Sequence, residues 1–166
     1  MISRERQIID QIPHLRRYAR ALVRDHDAAD DLVQECLARA MVRLHAWQPS
    51  GTMRGWLFTI LHNLHVNQLR RDGRSPEIHS DTDSVDRETS PGNHESGLAV
   101  RDIAAALATL PEEQRSVILL IGLEGLTYAE AATVTDVPVG TVMSRLARGR
   151  ERLREIMAFD AVMPMR

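Results

Sequence analysis

The chain has 166 residues, enough for one domain of ordinary size or two small ones. Hydrophobic residues make up 43% of it but aromatic ones only 4%, and alternating β-branched runs are nearly absent, so packed helices are expected and a sheet is not. The 21 basic residues, all arginine, stand against 23 acidic ones, and the formal charge of -2 excludes a chain that coats nucleic acid through its overall charge.

The first predicted element carries Ile8, Ile12, Leu15, Ala19 and Leu22 in helical rhythm, with Pro13 expected to start a new helix or kink this one, a short helix followed by a longer one. The stretch "DHDAADDLVQECLARAMVRLHAW" opens with capping aspartates and repeats apolar residues at Ala29, Val33, Cys36, Ala40 and Leu44, which predicts a long amphipathic helix. After the breakers of "QPSGT", residues 53 to 71 place Leu57, Ile60, Leu61, Leu64 and Gln68 on one side of a third helix.

The middle piece, "GRSPEIHSDTDSVDRETSPGNHESG", is poor in apolar residues and rich in breakers, so it reads as a flexible linker. Charge is segregated around it. Residues 1–72 hold 11 arginines against 8 acids, residues 73–97 hold 2 against 6, and residues 98–166 hold 8 against 9. The expected fold is all-α: two small helical bundles, 1–72 and 98–166, joined by an acidic tether at 73–97.

In the second bundle Val100, Ile103, Leu107 and Leu110 predict one helix. Pro111 suits the first turn of another that runs to about Glu124 and stops at Gly125. Thr127 and Glu130 have the spacing of a capping box, "TDVP" turns the chain, and a longer basic helix begins near Val139, which are helix-turn-helix proportions. On that last helix Val142, Leu146, Gly149, Leu153 and Ile156 fall in one arc, the buried side. The opposite arc holds Thr141, Ser144, Ala147 and Arg148, then Glu151 and Glu155. Arg145 and Arg152 flank it on one edge and Arg150 and Arg154 on the other, placed to reach the two phosphate chains bordering a major groove. The two glutamates would repel phosphate, so only the first two turns are expected to enter, with Thr141, Met143, Ser144, Ala147 and Arg148 at base edges. The competing reading is a solvated face laced with weak i,i+3 ion pairs.

Trp56, Thr59, Asn63, Asn67 and Arg70 recur on the third helix as a stripe opposite its apolar side. An indole, two amides and an arginine suit an unpaired nucleic-acid strand, and Trp47 before the "QPSGT" loop suggests a pocket for an unstacked base. Core aromatics beside a solvated amide edge would give the same pattern. Asp30, Asp31, Gln34, Glu35 and Arg39 line one side of the second helix, either as a solvated face or as a docking surface for a basic partner.

At these residues the chain resembles the extracytoplasmic-function sigma factors, small bacterial transcription initiation factors. "DDLVQECLARA" is similar to their polymerase-docking helix and "MRGWLFTILHNLHVNQLRR" to their promoter-melting helix. "LPEEQRSVILLIGLEGLTYAEAATVTDVPVGTVMSRLARGRERLR" is similar to their reader of the promoter -35 element. "IPHLRRYARAL" and "LPEEQRSVILLIGLEG" resemble the general-stress-response subgroup of alphaproteobacteria. The resemblance implies that Asp31, Leu32, Gln34 and Glu35 contact the clamp helices of the largest subunit of core RNA polymerase. It implies that the loop from Trp47 to Met53, with Gln48, Ser50 and Thr52, holds a flipped base of the single-stranded -10 element, with Trp56, Asn63, Asn67 and Arg70 beside it. Thr141, Met143, Ser144, Arg145, Ala147, Arg148 and Arg152 would face duplex -35 DNA, the tether would thread through polymerase toward its RNA exit path, and an anti-sigma factor would wrap both bundles. Two positions depart from the family pattern: Met143 stands where a lysine or arginine is usual, and "TVTDVP" lacks the frequent turn glycine, a shape Asp136 is expected to supply.

A conventional dimeric helix-turn-helix regulator is the alternative; it accounts for residues 126–154 but leaves the first bundle without a purpose. His62 and His65, three apart on a helix, could ligate a metal with His45 or Cys36, but no further ligand completes a site, and exposed or pocket-edge histidines are expected. No nucleophilic triad or glycine-rich phosphate loop appears, so neither catalysis nor a cofactor is expected. Cys36 lies in an apolar-periodic segment, so no internal disulfide can form and a buried thiol in a reducing compartment is expected. The polar start "MISRERQ" and the lack of a run near 20 apolar residues point to a cytoplasmic protein without membrane insertion.

Overall fold

The computed structural model describes residues 2–48, 50–73 and 94–162; residues 74–93, most of the expected tether, lie outside them. Among the described residues every regular element is a helix. Helix α1 (Arg4–Leu22) starts at Ser3, whose hydroxyl accepts the Arg6 amide at 3.2 Å, and it runs unbroken through Pro13. That corrects the expected division. Pro13 removes one backbone donor and crowds the preceding turn, at about 3 kcal/mol in a helix interior. Both Pro13 and Ile9, whose carbonyl loses its partner, are exposed, so water can solvate the orphan group. Leu15, Tyr18 and Leu22 beyond the proline are almost fully buried, and each contributes roughly 1.5–3 kcal/mol, which outweighs the interruption.

Asp25 caps α2 (His26–Arg43) by accepting the Ala28 amide, and Thr52 caps α3 (Met53–Arg71) by accepting the Gly55 amide, both at 3.0 Å. Helices α1, α2 and α3 pack on one another around Leu15, Tyr18, Leu32, Cys36, Leu57, Phe58 and Leu61. Tyr18 meets Phe58 edge-on with ring centroids 5.3 Å apart. Gln68, expected on the apolar side of α3, is exposed, because the apolar side ends before the last turn.

Helix α4 (His94–Ala108) begins inside the stretch read as tether. Only its C-terminal end is sequestered, through Ala106, and Leu110 just after it is fully buried. Val100 and Ile103, read as part of the apolar repeat of this helix, are 65% and 42% exposed, since α4 packs mainly along α7 and leaves its outer apolar side uncovered. Pro111 precedes α5 (Glu112–Ile118), which widens into a π-helical turn at Leu119–Leu123 rather than continuing as a regular helix to Glu124. The Glu124 amide closes the wide turn on Leu119 O at 3.0 Å, and Gly125 ends it at φ 69°, a left-handed conformation that glycine adopts without strain.

Thr127 and Glu130 make the expected capping box at the start of α6 (Tyr128–Thr135): the Thr127 hydroxyl accepts the Glu130 amide at 3.1 Å, and the Glu130 carboxylate accepts the Thr127 amide at 2.8 Å. Asp136 takes the left-handed turn at φ 55°, ψ 48°, as expected for a turn without glycine. Helix α7 (Val139–Val162) then crosses α5 at Gly149, where a Cβ would lie 2.5 Å from Ile118 Cδ1 and 3.3 Å from Gln114 Cβ.

The two groups of helices do not stand apart. Helix α3 packs against α6 and α1 against the π turn, so one continuous cluster of buried residues runs from Ile8 to Leu146.

Candidate nucleic-acid interface

Helix α7 supplies one candidate surface. Val142 and Leu146 are buried with Gly149, while Leu153 and Ile156 are half-buried because α7 outruns the helices beneath it. Met143, Ser144, Ala147, Arg148 and Arg152 are exposed on the outer side, and Thr141 is half-buried at its edge. Ser144 Oγ donates to Gly140 O at 2.9 Å, which holds the hydroxyl against the helix. Among the described residues no ion pair engages Arg148 or Arg152, so both guanidinium groups can meet phosphate or a base edge without first breaking a bond. Arg145 differs: it turns toward α5, 3.4 Å from Glu113, and is only 24% exposed. Farther along, Arg154 pairs with Glu151 at 3.2 Å, as the solvated-face reading foresaw for that half of the helix.

The start of α3 supplies the second surface. The Trp47 and Trp56 rings lie 5.9 Å apart at 37°, and the Arg4 guanidinium sits 5.6 Å over Trp47 while donating to Leu44 O at 3.2 Å. Beside the two indoles is a cavity of about 670 Å³ lined by Gln48, Ser50, Thr52 and Thr59. Its far wall is Glu130, Thr133 and Val134 of α6. Both tryptophans are half-buried, which allows a stacked base on their remaining surface. Asn63, Asn67 and Arg70 continue outward along α3 and are exposed.

On α2, Asp31, Gln34 and Glu35 are exposed, with Glu35 accepting from Arg39 at 2.6 Å. Leu32 is corrected: at 4% exposure it belongs to the core, because the apolar arc of α2 is one residue wider than the repeat from Ala29 to Ala40 suggested.

The sequence reading missed a polar network between α1, α3 and the second helical group. Glu124 has a side chain with no solvent exposure, and Arg17 grips it in two-pronged fashion, Nε to Oε1 at 2.9 Å and Nη2 to Oε2 at 3.0 Å. Arg54 adds a bond to Oε2 at 3.2 Å and another to the Glu124 backbone carbonyl, and His14 Nδ1 lies 3.4 Å from the same carboxylate. Glu112 is nearly buried; its Oε1 lies 2.9 Å from His65 Nε2 and accepts from Ser116 at 2.9 Å. Burial pushes the Glu112 carboxyl upward, but the hydrogen bond and charge of His65, with Arg115 and Ser116, outweigh it and hold the group below its ordinary value. Arg115 donates to Leu22 O at 3.3 Å and to Leu110 O at 3.1 Å, tying the end of α1 to α5.

His62 and His65 are therefore not exposed, at 8% and 4%; His62 stands at a pocket edge, lining a cavity of about 250 Å³, while His65 is buried. Burial lowers the His62 pKa to about 4, and Tyr18 Oη lies 3.5 Å from its Nδ1. Charged or imidazole side chains inside otherwise apolar strings, such as "LHNLH" and "IGLEGL", were the available signal.

Comparison with known proteins gives two family matches: the sigma-2 domain of PhyR over residues 8–62 and sigma-70 region 4 over residues 101–153. The chain is 36% identical to the ECF RNA polymerase sigma factor EcfG of Rhodopseudomonas palustris, over 92% of this chain and 84% of that one. It is 34% identical to the ECF RNA polymerase sigma-E factor of Escherichia coli K12, over 74% of this chain and 70% of that one. Among solved structures it resembles the sigma factor RpoE of Bartonella quintana in complex with the anti-sigma factor NepR, with a TM-score of 0.79 and 32% identity over 94% of this chain and 97% of that one. It also resembles CnrH in complex with the cytosolic domain of CnrY, with a TM-score of 0.69 and 25% identity over 92% and 86%.

Proposed function

The chain belongs to the ECF RNA polymerase sigma factors, and from that premise we propose how its residues divide the work of directing core polymerase to a promoter. Residues 1–72 act as the polymerase-docking and promoter-melting domain, 73–97 as the acidic connector, and 98–166 as the -35 reader. Asp31, Gln34 and Glu35 present an acidic and amide face to a basic partner surface, the clamp of the polymerase. Trp47 and Trp56 stack the flipped base of the -10 element, the Gln48, Ser50 and Thr52 side chains meet its edge, and Asn63, Asn67 and Arg70 follow the unpaired strand. Thr141, Met143, Ser144, Ala147 and Arg148 face the major groove, with Arg152 on phosphate.

The observation that carries this reading is the joint presence, in one chain, of Arg148 and Arg152 exposed on α7 with no ion pair among the described residues and a two-tryptophan cavity at the start of α3. A regulator that only reads duplex DNA uses the first and has no need of the second. An anti-sigma factor holds the protein inactive, as NepR and CnrY accompany the two solved relatives. Run-off transcription with purified core polymerase on a promoter library tests the assignments. Arg148→Ala should weaken use of promoters by about 1–3 kcal/mol at one -35 position and relax the preference there. Asn63→Ala should relax the preference at a -10 position and leave -35 selection intact. Unaltered start-site choice in both variants overturns the residue roles.

A further inference from the structure

Helix α7 presents two different columns of side chains over its first turns. Val139, Met143 and Ala147, spaced four apart, are apolar and exposed, Val139 at 41% and Met143 at 51%. Beside them Ser144, Arg148 and Arg152, also four apart, are polar and exposed. The polar column holds the hydrogen-bonding capacity of this face. Ser144 Oγ donates to Gly140 O at 2.9 Å, so outward it offers only lone pairs, while among the described residues no ion pair engages Arg148 or Arg152. The apolar column has neither donor nor acceptor to offer a base. It stops at Glu151, whose carboxylate lies 3.2 Å from Arg154. One side of the face is thus equipped for polar base edges, and the other gains only from an apolar one. In the major groove that group is the C5 methyl of thymine.

We propose that Met143 is the specificity-determining residue for a thymine in the -35 element, packing its side chain on the C5 methyl, with Val139 and Ala147 continuing the apolar contact along the groove. The inference rests on the reading of α7 as the -35 reader and deepens it by naming the chemistry of one base. Four residues of helix rise about 6 Å, close to two base-pair steps of 3.4 Å, so Met143 and Ala147 reach neighbouring pairs. Methionine suits the contact, because its unbranched, polarizable chain adapts to a methyl group and both partners lose apolar surface to water. Arg148 and Arg152, on the adjoining column, fix the rotation of the helix by holding a base edge and phosphate, which turns the apolar column onto the neighbouring bases. A cytosine at the same place would bring its amine against a column with no acceptor, and a purine would bring its N7 against one with no donor.

The test is run-off transcription by the full chain with limiting core polymerase, on a promoter that the wild type selects from the library. Each -35 thymine of either strand is replaced in turn by uracil, which deletes the methyl and keeps every hydrogen-bonding group. At one position the wild type should lose about fourfold in promoter use, the factor expected for one buried methyl group. With Met143→Ala the same uracil should make no difference, and Met143→Lys should exchange the thymine for guanine, whose O6 and N7 accept from an ammonium. A -35 element without thymine, a uracil scan that is silent in the wild type, or a uracil effect that survives Met143→Ala overturns the inference. Arg148→Ala separates it from the reading beneath. If that variant shifts -35 choice while the uracil scan is silent, the thymine contact alone fails; if the wild type shows no -35 selection, the assignment of α7 fails with it.

Discussion

His62 makes stability depend on pH between about 4 and 6.5. Its ring is 8% exposed, and burial lowers its pKa to about 4 from 6.5; Glu112 pulls the other way, and His65 and Arg145 add to the depression. The unfolded chain therefore takes up a proton at His62 below pH 6.5 that the folded chain refuses until about pH 4. Stability is complete above the upper limit and falls as the pH drops through the window, by up to about 1.4 kcal/mol per pH unit and about 3 kcal/mol for the whole shift. Glu112, with its folded pKa depressed, contributes stability that is present above its ordinary 4.5 and lost below it, so the range from pH 6.5 to about 5 is free of its titration. Urea unfolding of wild type and His62→Gln at several pH values checks this. The wild type should lose about 2 kcal/mol more than the variant between pH 7.5 and 5. Parallel losses in the two proteins would show that His62 is accessible to protons in the folded state, and the reasoning from burial would be wrong.

Gly149→Ala places a methyl group against Ile118 and Gln114, and overpacking at about 1–3 kcal/mol exceeds the ~1 kcal/mol gained in helix propensity, so thermal stability should drop. Adding Ile118→Val removes the closest atom, and the double variant should cost less than the sum of the two single changes; additive losses in denaturant titrations would count against the close contact. Asp136→Gly relieves a non-glycine residue of φ 55° and should raise stability by up to about 1 kcal/mol in the same assay, whereas a loss would mean that the aspartate side chain holds the turn.

Features set by neighbours in the chain were legible: the Thr127–Glu130 capping box, the left-handed Asp136, the cap at Asp25, and the buried side of α7 all depend on contacts a few residues apart. Pro13 was misread because local propensity spoke for a break, and the decisive contribution came from Leu15, Tyr18 and Leu22 packing on other helices. Leu32, Val100 and Ile103 show the limit of periodicity. It locates an apolar arc, but how much of that arc is covered depends on which helices lie against it. His62, His65, Glu112 and Glu124 were harder to read for a stronger reason: their long-range partners lie 44 to 110 positions away along the chain, and a polar residue set in an apolar string signals burial without naming the group that meets it.

Cys36 lies under α3 with its sulfur fully sheltered, 3.5 Å from Leu57 O, and burial pushes its thiol pKa up to about 12. An oxidant or alkylating reagent therefore finds no thiolate while the first three helices stay folded. The factor is deaf to redox stress through its own thiol, so a thiol-based signal has to be sensed by another molecule and delivered as a binding event. The same silence lets a fluorophore be attached at an engineered surface cysteine with the native one left in place, and the slow modification of Cys36 becomes a timer for the unravelling of that bundle.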